Sequence, residues 1–280
     1  MVSCSPRASF SLLLAGLAIS ACLALWARPA LAACAGEDGG GALVTEIRGG
    51  DTLILQDDRA VRLAGVLLPR RAGEADIGAQ ARQNAEKTLA DLVLSQRVEL
   101  QFDARRRDRY GRLLAQVHVV KDGKRLWVQE QLIASGLARV ISFRDNRICI
   151  PQLLAAERTA REAGQGLWKT GLFSVRQAGA EDLLAARAQN YEIVEGRIEN
   201  VAEIRGRYYL NFGRNWRRDF TITVSSDAAR LFSGESGGLA NLKGRLVRAR
   251  GWIENVNGPS ISLTHPEQME ILESGTALQQ

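Results

Sequence analysis

Short apolar segments separated by turn residues open the folded part of the chain. Segments of this length that are rich in Val, Ile and Leu predict β-strands, and the glycine and aspartate pairs between them predict turns. After one segment with apolar residues at every third or fourth position, which predicts a helix, two more strand-like segments follow. The predicted strands are residues 43–48, 52–56, 60–67, 97–102 and 113–120, and the helix is 78–94. This order predicts a small closed five-stranded barrel.

Two further amphipathic segments follow the fifth predicted strand. Residues 125–136 and 151–164 repeat apolar positions at helical spacing, Pro151 suits the first turn of a helix, and Gly136 and Gly164 suit helix ends. We therefore predict a first domain over residues 41–170 that is mainly β with α (α+β). Its core would be a five-stranded OB-type barrel carrying three helices.

A second set of strand-like segments follows a predicted linker at residues 171–190, which contains an alanine-rich stretch compatible with a short helix. Glycines punctuate these segments. The segments are residues 192–201, 207–212, 220–224, 246–252 and 260–263. They predict a second domain over residues 191–273 that is a small OB-like β-barrel, although a sandwich or an SH3-like barrel would give a similar pattern.

The first 32 residues have the pattern of an export leader. Arg7 precedes an apolar run at residues 10–26, and Ala-Leu-Ala at residues 30–32 suits a cleavage site. We predict that residues 1–32 are a signal peptide and that the protein is periplasmic or extracellular. Two alternatives would attach the protein to a membrane: an uncleaved leader, or a lipid on Cys22 or Cys34, each of which ends a lipobox-like sequence.

Two cysteines remain after the predicted cleavage, Cys34 and Cys149, and an oxidising compartment favours their pairing as a disulfide. Together with His118 and His265 they have no zinc spacing, so structural zinc is not predicted. The formal net charge is +6, and the basic excess lies in the first domain. A basic domain favours a polyanionic partner such as nucleic acid. The sequence leaves the oligomeric state open.

Three short motifs in the first domain carry candidate chemistry. They are Gly50-Asp51-Thr52, Val61-Arg62-Leu63 and Asp108-Arg109-Tyr110-Gly111-Arg112. Further matching segments lie at residues 127–140 and 157–168, the second of which ends in Gly-Leu-Trp. Through these motifs the chain resembles the staphylococcal nuclease (thermonuclease) family over about 130 residues.

The resemblance implies a role for each motif. Asp51 stands where the family has a calcium-binding carboxylate, and Arg62 and Arg112 stand where two arginines reach the scissile phosphate. Arg109 and Tyr110 lie beside Arg112 as further phosphate contacts. In the family's chemistry calcium neutralises the phosphate, a glutamate activates water, and the guanidinium groups stabilise the developing charge.

One segment departs from the family pattern at every polar position. Where the family has Asp-Thr-Pro-Glu, this chain has Leu67-Leu68-Pro69-Arg70. Asp51 is then the sole inherited metal carboxylate, which implies weak calcium binding. Arg70 stays charged and cannot act as a general base. We predict a degenerate domain that binds nucleic acid or another phosphate-rich polyanion without efficient cleavage, and no cofactor is assigned beyond weakly held calcium.

Two other functions stay open at the level of sequence. Glu74 and Asp76 follow Arg70 and would rebuild a metal site if their loop moved inward, which would give an active metal-dependent nuclease or phosphodiesterase. The barrels would alternatively serve as an interaction scaffold in the cell envelope. Arg62 also has a structural interpretation, an ion pair with Asp51 on the barrel surface.

The second domain has its own candidate for nucleic-acid binding. Trp216, Arg217 and Arg218 place an aromatic side chain beside two cations, as in proteins that stack the bases of single strands. The alternative is structural, because aromatic residues on strands commonly fill a core.

Overall fold

The computed structural model describes residues 1, 34, 36–69, 75–232 and 238–272, without the side chains of residues 75–77. The predicted signal peptide, Arg70, Glu74 and the side chain of Asp76 lie outside this part. Contacts divide the chain into Met1–Ala33 and one compact unit, Cys34–Gln280, whose fold is given below. Within the described residues, no helix is long and apolar enough to span a membrane.

The first domain is built from strands that follow the predicted pattern closely. Its strands are β1 (Glu37–Arg48), β2 (Thr52–Leu55), β3 (Ala60–Leu63), β4 (Val66–Leu67), β5 (Arg97–Phe102), β6 (Leu113–Lys121), β7 (Lys124–Trp127) and β8 (Arg139–Val140). Its helices are α1 (Ala75–Val93), α2 (Val128–Ala134) and α3 (Ile150–Glu162). The main sheet has the order β3-β2-β1-β5-β6-β7.

A parallel pairing of β3 with β6 closes this sheet into a barrel. The five strands β1, β2, β3, β5 and β6 form the ring, so the predicted five-stranded barrel is confirmed. Their inward side chains, including Val44, Leu53, Val61, Leu100 and Val117, are almost fully buried and pack against the apolar faces of the helices. Burial of such side chains is the main stabilising contribution to a barrel of this size.

Two predicted elements of the first domain are wrong in detail. Residues 125–136 were expected to form one helix, but residues up to Trp127 form β7 and the helix begins at Val128. Asp122 and Gly123 both adopt positive φ values, +51° and +72°, which makes a tight hairpin that pairs β7 with β6. The strand predicted at residues 60–67 is interrupted because Gly65 has φ +85°.

The second domain is a further β domain, as predicted, with more strands than the five expected. Among the described residues its sheet has eight strands, because the segment 192–201 divides in two and both ends of the domain add a strand. They are β9 (Val175–Gln177), β10 (Tyr191–Arg197), β11 (Asn200–Ile204), β12 (Arg207–Asn211), β13 (Thr221–Val224), β14 (Leu246–Asn255), β15 (Pro259–Leu263) and β16 (Met269–Leu272). The helices are α4 (Glu181–Ala186) and α5 (Ser226–Ala229).

The segment at residues 171–190, expected to be a linker, contributes to the second domain. Strand β9 pairs in parallel with β10, and Leu184 of α4 is fully buried in the second core. Strand β14 bridges the sheet: residues 246–252 pair with β10, residues 246–249 also pair with β16, and residues 253–255 pair with β15. Side chains of β14 therefore supply groups through which the second domain contacts the first.

Buried polar contacts join the two domains within the compact unit. Glu157 of α3 accepts a hydrogen bond from Arg250 Nη1 at 2.7 Å, and both side chains are inaccessible to solvent. Burial opposes the charge of Arg250, but Glu157 and Glu270 hold the pKa of this guanidinium above its ordinary value. Tyr191 donates a hydrogen bond to the carbonyl of Val140 at 3.1 Å.

Two more contacts extend this interface. Arg147 donates to both carboxylate oxygens of Glu267, at 2.9 and 2.8 Å, and His265 Nε2 lies 2.7 Å from Ser142 Oγ. A disulfide joins Cys34 to Cys149, whose Cα atoms are 5.0 Å apart, so Cys34 is tied to the residue that precedes α3. Specific polar groups thus hold the two domains in their relative position.

Candidate functional site

The turn at residues 49–52 places Asp51 at one end of the barrel. Gly49 and Gly50 have φ values of +58° and +78°, which only glycine adopts readily. A Cβ on Gly50 would also lie 2.7 Å from Cγ of Glu86, so a larger residue would require the Glu86 side chain to move. The carbonyl of Asp51 accepts a hydrogen bond from Leu63 N at 2.9 Å, which ties the turn to β3.

The predicted site residues Asp51, Arg62 and Arg112 come together here. Arg62 donates through Nε to Asp51 Oδ2 at 3.2 Å. Arg112 Nη1 donates to Thr52 Oγ1 at 2.9 Å and lies 4.0 Å from Asp51 Oδ1. Each of the three charged side chains keeps about a quarter of its surface exposed. The ion pair between Arg62 and Asp51, expected as a structural alternative, is therefore present, and both arginines border solvent.

Asp108 holds Arg112 in place within the second arginine motif. Its Oδ1 accepts hydrogen bonds from the backbone N–H groups of Tyr110 and Arg112 at 2.9 and 3.0 Å, and its Oδ2 accepts from Arg112 Nε at 2.8 Å. Burial disfavours the carboxylate, but these hydrogen bonds lower the pKa of Asp108 below its usual value. Asp108 is a structural residue of the turn that the sequence motif did not single out.

A cavity of about 560 Å³ opens beside Arg62, and we call it the arginine cleft. Tyr110 is 69% exposed at its edge, with the guanidinium groups of Arg109 and Arg112 lying 4.9 and 5.5 Å from the ring centre. The first domain contributes ten of its lining residues and the second domain contributes Trp252. The lining residues are Arg62, Leu67, Arg105, Asp108, Arg109, Tyr110, Leu114, Ile141, Phe143, Asn146 and Trp252.

The leucines of the departing segment bring no oxygen to this cleft. Leu68 is buried in the first core, and its Cδ1 approaches Gly50, while Leu67 is half-buried and lines the cleft. Within the described part of the chain, no group of three or more His, Cys, Asp or Glu side chains is arranged to hold a metal ion. Ca²⁺ needs six or more oxygens, so the described residues do not fit it.

The guanidinium of Arg82 in helix α1 joins the turn that precedes Asp51 to the segment that ends at Pro69. Arg82 donates through Nη1 to the carbonyl of Pro69 at 3.1 Å and through Nε to Glu86 Oε1 at 2.9 Å. It also contacts the carbonyl of Gly49. The sequence analysis did not single out Arg82, because its partners Gly49 and Pro69 are distant in the chain.

The geometry agrees with what comparison with known proteins finds. Residues 60–170 match the family model described as "Staphylococcal nuclease homologue". The first domain belongs to the staphylococcal nuclease-like family. A thermonuclease of Staphylococcus hyicus is 29% identical over 129 residues, which are 45% of this chain and 73% of that protein. We call residues 37–168 the nuclease-like domain below.

Two proteins of Bacillus subtilis (strain 168) are also similar to the nuclease-like domain. Endonuclease YncB is 41% identical over 97 residues, which are 34% of this chain and 44% of that protein. SPbeta prophage-derived endonuclease YokF is 42% identical over 88 residues, 31% of this chain and 28% of that protein. The chain thus spans less than half the length of these two relatives.

The second-domain candidates lie apart from the arginine cleft. Trp216 is 51% exposed, and the guanidinium of Arg217 lies 4.6 Å from the centre of its ring. Trp216 lines a cavity of about 480 Å³ with Tyr209 and Val256, whereas the backbone of Arg218 closes the same turn by donating to Asn215 O. Trp216 is therefore a surface residue rather than part of the core, and its role in binding stays a prediction.

Proposed function

We propose that this protein is exported and binds nucleic acid, or another phosphate-rich polyanion, in the arginine cleft without efficient calcium-dependent cleavage. The observation that carries the proposal is that Arg62 and Arg112 lie beside Asp51, while Asp108 holds Arg112 and leucine stands where the family has metal-ligating side chains. Guanidinium groups bind phosphate oxygens bidentately and stay charged at every working pH. The site therefore keeps the side chains that bind phosphate, but it has other residues in place of several that the family uses for cleavage.

Calcium is a poor fit for this site on electrostatic grounds as well. Asp51 Oδ1 already accepts from Thr52 Oγ1 at 2.9 Å, and Oδ2 accepts from Arg62. A divalent cation would have to displace these donors and approach two guanidinium groups at the same time. A phosphate group requires the opposite exchange, since it would replace Asp51 as the partner of Arg62.

The test measures binding and cleavage in parallel on the purified mature protein. We expect labelled oligothymidylate to bind with an affinity that falls steeply between 50 and 200 mM salt, because phosphate contacts release counterions. The same strand should remain intact with millimolar calcium. Arg62→Ala should weaken binding, whereas Arg48→Ala, which removes an exposed arginine paired with Glu46, serves as a matched control. Salt-insensitive binding, or equal losses in the two variants, would contradict the proposal.

The names of the relatives, endonuclease and thermonuclease, favour a second candidate, an active nuclease, which the sequence analysis expects to depend on a metal. The site offers one observation in its favour, since the carboxylate of Glu86 lies beside Gly50, next to Asp51 in the chain. Glu74 and Asp76 would supply further carboxylates to such a rebuilt site. Cleavage that is abolished by Asp51→Asn, by Glu86→Gln or by Glu74→Gln together with Asp76→Asn would establish this function and overturn the first.

Export is part of the proposal and has a simple test. The disulfide between Cys34 and Cys149 supports an oxidising compartment. A sulfur atom that is in a disulfide cannot also carry a diacylglyceryl group, so pairing of Cys34 excludes lipid at that position. Mass spectrometry of the exported protein should find a terminus at Ala33 or Cys34 and no alkylatable thiol before reduction. A mass that retains the leader, or a lipid adduct, would refute cleavage to a free terminus.

A further inference from the structure

We propose that Trp252, supplied by the second domain, stacks on a nucleobase of the strand whose phosphate lies on Arg62, so that both domains build one binding site. This inference rests on the proposed function and adds the class of ligand: single-stranded nucleic acid. One domain would then bind the sugar–phosphate chain, and the other would bind an unpaired base.

The arginine cleft has the size and lining that such a unit requires. Its volume of about 560 Å³ lies within the usual range of small-molecule sites, about 300–1,000 Å³. Trp252 is 37% exposed and shares the cavity with Arg62 and Tyr110. Phe143, which is 44% exposed, lines the same cavity. Large aromatic surface beside guanidinium groups is the combination that binds a base and its phosphate together.

The contacts of β14 hold Trp252 toward the nuclease-like domain. Residues two apart on a strand share a face, so Trp252 points to the same side as Arg250. Arg250 is bound to Glu157 of the nuclease-like domain, and the ring of Trp252 meets Tyr191 edge-on with centroids 5.4 Å apart. Tyr191 in turn donates to the carbonyl of Val140. A side chain held by such contacts loses little entropy when a ligand binds.

The same features favour a single strand over a duplex. In a duplex the faces of the bases stack on one another and cannot reach a protein aromatic ring, whereas a single strand leaves them accessible. No sequence motif pointed to Trp252, which lies within β14 of the second domain, about 190 residues from Arg62 in the chain. Only the docking of the two domains brings the residues to one cavity.

The experiment compares two probes on the full mature protein: a labelled thymidine trinucleotide and an abasic oligomer of equal length. Trp252→Ala should weaken trinucleotide binding by about 5- to 150-fold, the equivalent of 1–3 kcal/mol per stacked base, and should leave abasic binding within about twofold. Trp252→Phe should recover part of the loss because it keeps a ring. Leu183→Ala is the control, since Leu183 is 46% exposed on α4 of the second domain and does not line the arginine cleft, and it should match wild type on both probes.

The outcomes separate the two proposals. Equal losses on both probes, or no loss with Trp252→Ala, would overturn the stacking role while leaving phosphate binding intact. Failure of the wild-type protein to bind either probe would instead refute the proposed function. A second measurement does not depend on folding of the variants: photocrosslinking of a 4-thiothymidine strand to the wild-type protein should modify the peptide that contains Trp252. Crosslinks confined to other peptides would contradict the proposal.

Discussion

At the scale of single residues, a carboxylate of the protein and the phosphate of the ligand would compete for Arg62 in the arginine cleft. Asp51 and a bound phosphate would use the same guanidinium edge, so the carboxylate acts as an internal competitor of the ligand. In a metal-dependent nuclease the same carboxylate would be indispensable. Substitution of Asp51 should therefore strengthen ligand binding if the protein only binds, whereas it should abolish cleavage if the protein is an enzyme.

We predict that Asp51→Asn strengthens binding of oligothymidylate by about 1.4- to 5-fold, because it removes an ion pair worth roughly 0.2–1 kcal/mol that the phosphate must displace. Titration by fluorescence anisotropy at fixed salt measures the change. Asp57→Asn is the matched control, since Asp57 pairs with Arg59 elsewhere on the nuclease-like domain, and it should have little effect. Weaker binding in Asp51→Asn than in Asp57→Asn would count against the competition.

At the scale of elements, sequence periodicity correctly predicted the strands and helices that depend only on nearby residues. The barrel strands, α1 and the helix after Pro151 follow from spacing and turn residues. The segment at residues 125–136 misled because its apolar spacing suits a helix throughout, while the hairpin at Asp122 and Gly123 recruits its first residues to the sheet. The role of β14 could not be predicted from the sequence, because its partners Glu157 and Tyr191 are distant in the chain and no local pattern encodes these contacts.

The surface around Trp216 gives a prediction that belongs to the second sheet. If this surface binds single strands, Trp216→Ala should weaken binding of a 20-nucleotide strand by about 1–3 kcal/mol, the usual contribution of one stacked base. The trinucleotide should be unaffected because Arg62 anchors it in a different cavity. Trp216 is half-exposed, so the variant should retain the melting temperature of the wild type. Equal affinities for the long strand would remove this surface from the binding path.

At the scale of the whole molecule, a buried ion pair determines how the domains meet. Arg250→Met should destabilise the protein by about 3 kcal/mol, the lower end of the cost of breaking a buried pair, because Glu157 loses its hydrogen-bonded cation and keeps only Arg161, whose Nη1 lies 3.7 Å away. Arg250→Met with Glu157→Gln should recover part of this loss, since the amide oxygen can still accept from Val140 N. Urea unfolding measures both. Lys87→Met, which breaks an exposed pair with Asp91, is the control and should cost little.

The same interface should make stability depend on pH. Burial lowers the pKa of His265 from 6.5 to about 4, so below pH 6.5 the unfolded chain takes up a proton that the folded protein refuses. The contribution of neutral His265 is complete above pH 6.5 and is lost as the pH falls toward 4. Urea unfolding at pH 7.5 and pH 5 should show lower stability at pH 5. His265→Gln should reduce the difference, and an unchanged difference would contradict the assignment.

Arg82 gives the nuclease-like domain a positive charge that no chelator can remove. It joins Gly49, beside Asp51, to Pro69, which follows the leucines, and these are the two segments that the family resemblance associates with calcium. The occupancy of an ion held from solution depends on its concentration relative to its dissociation constant, whereas a side chain is always present. Dialysis against EDTA should therefore leave the melting temperature unaltered. The protein would be equally ready for its ligand in calcium-poor and calcium-rich surroundings.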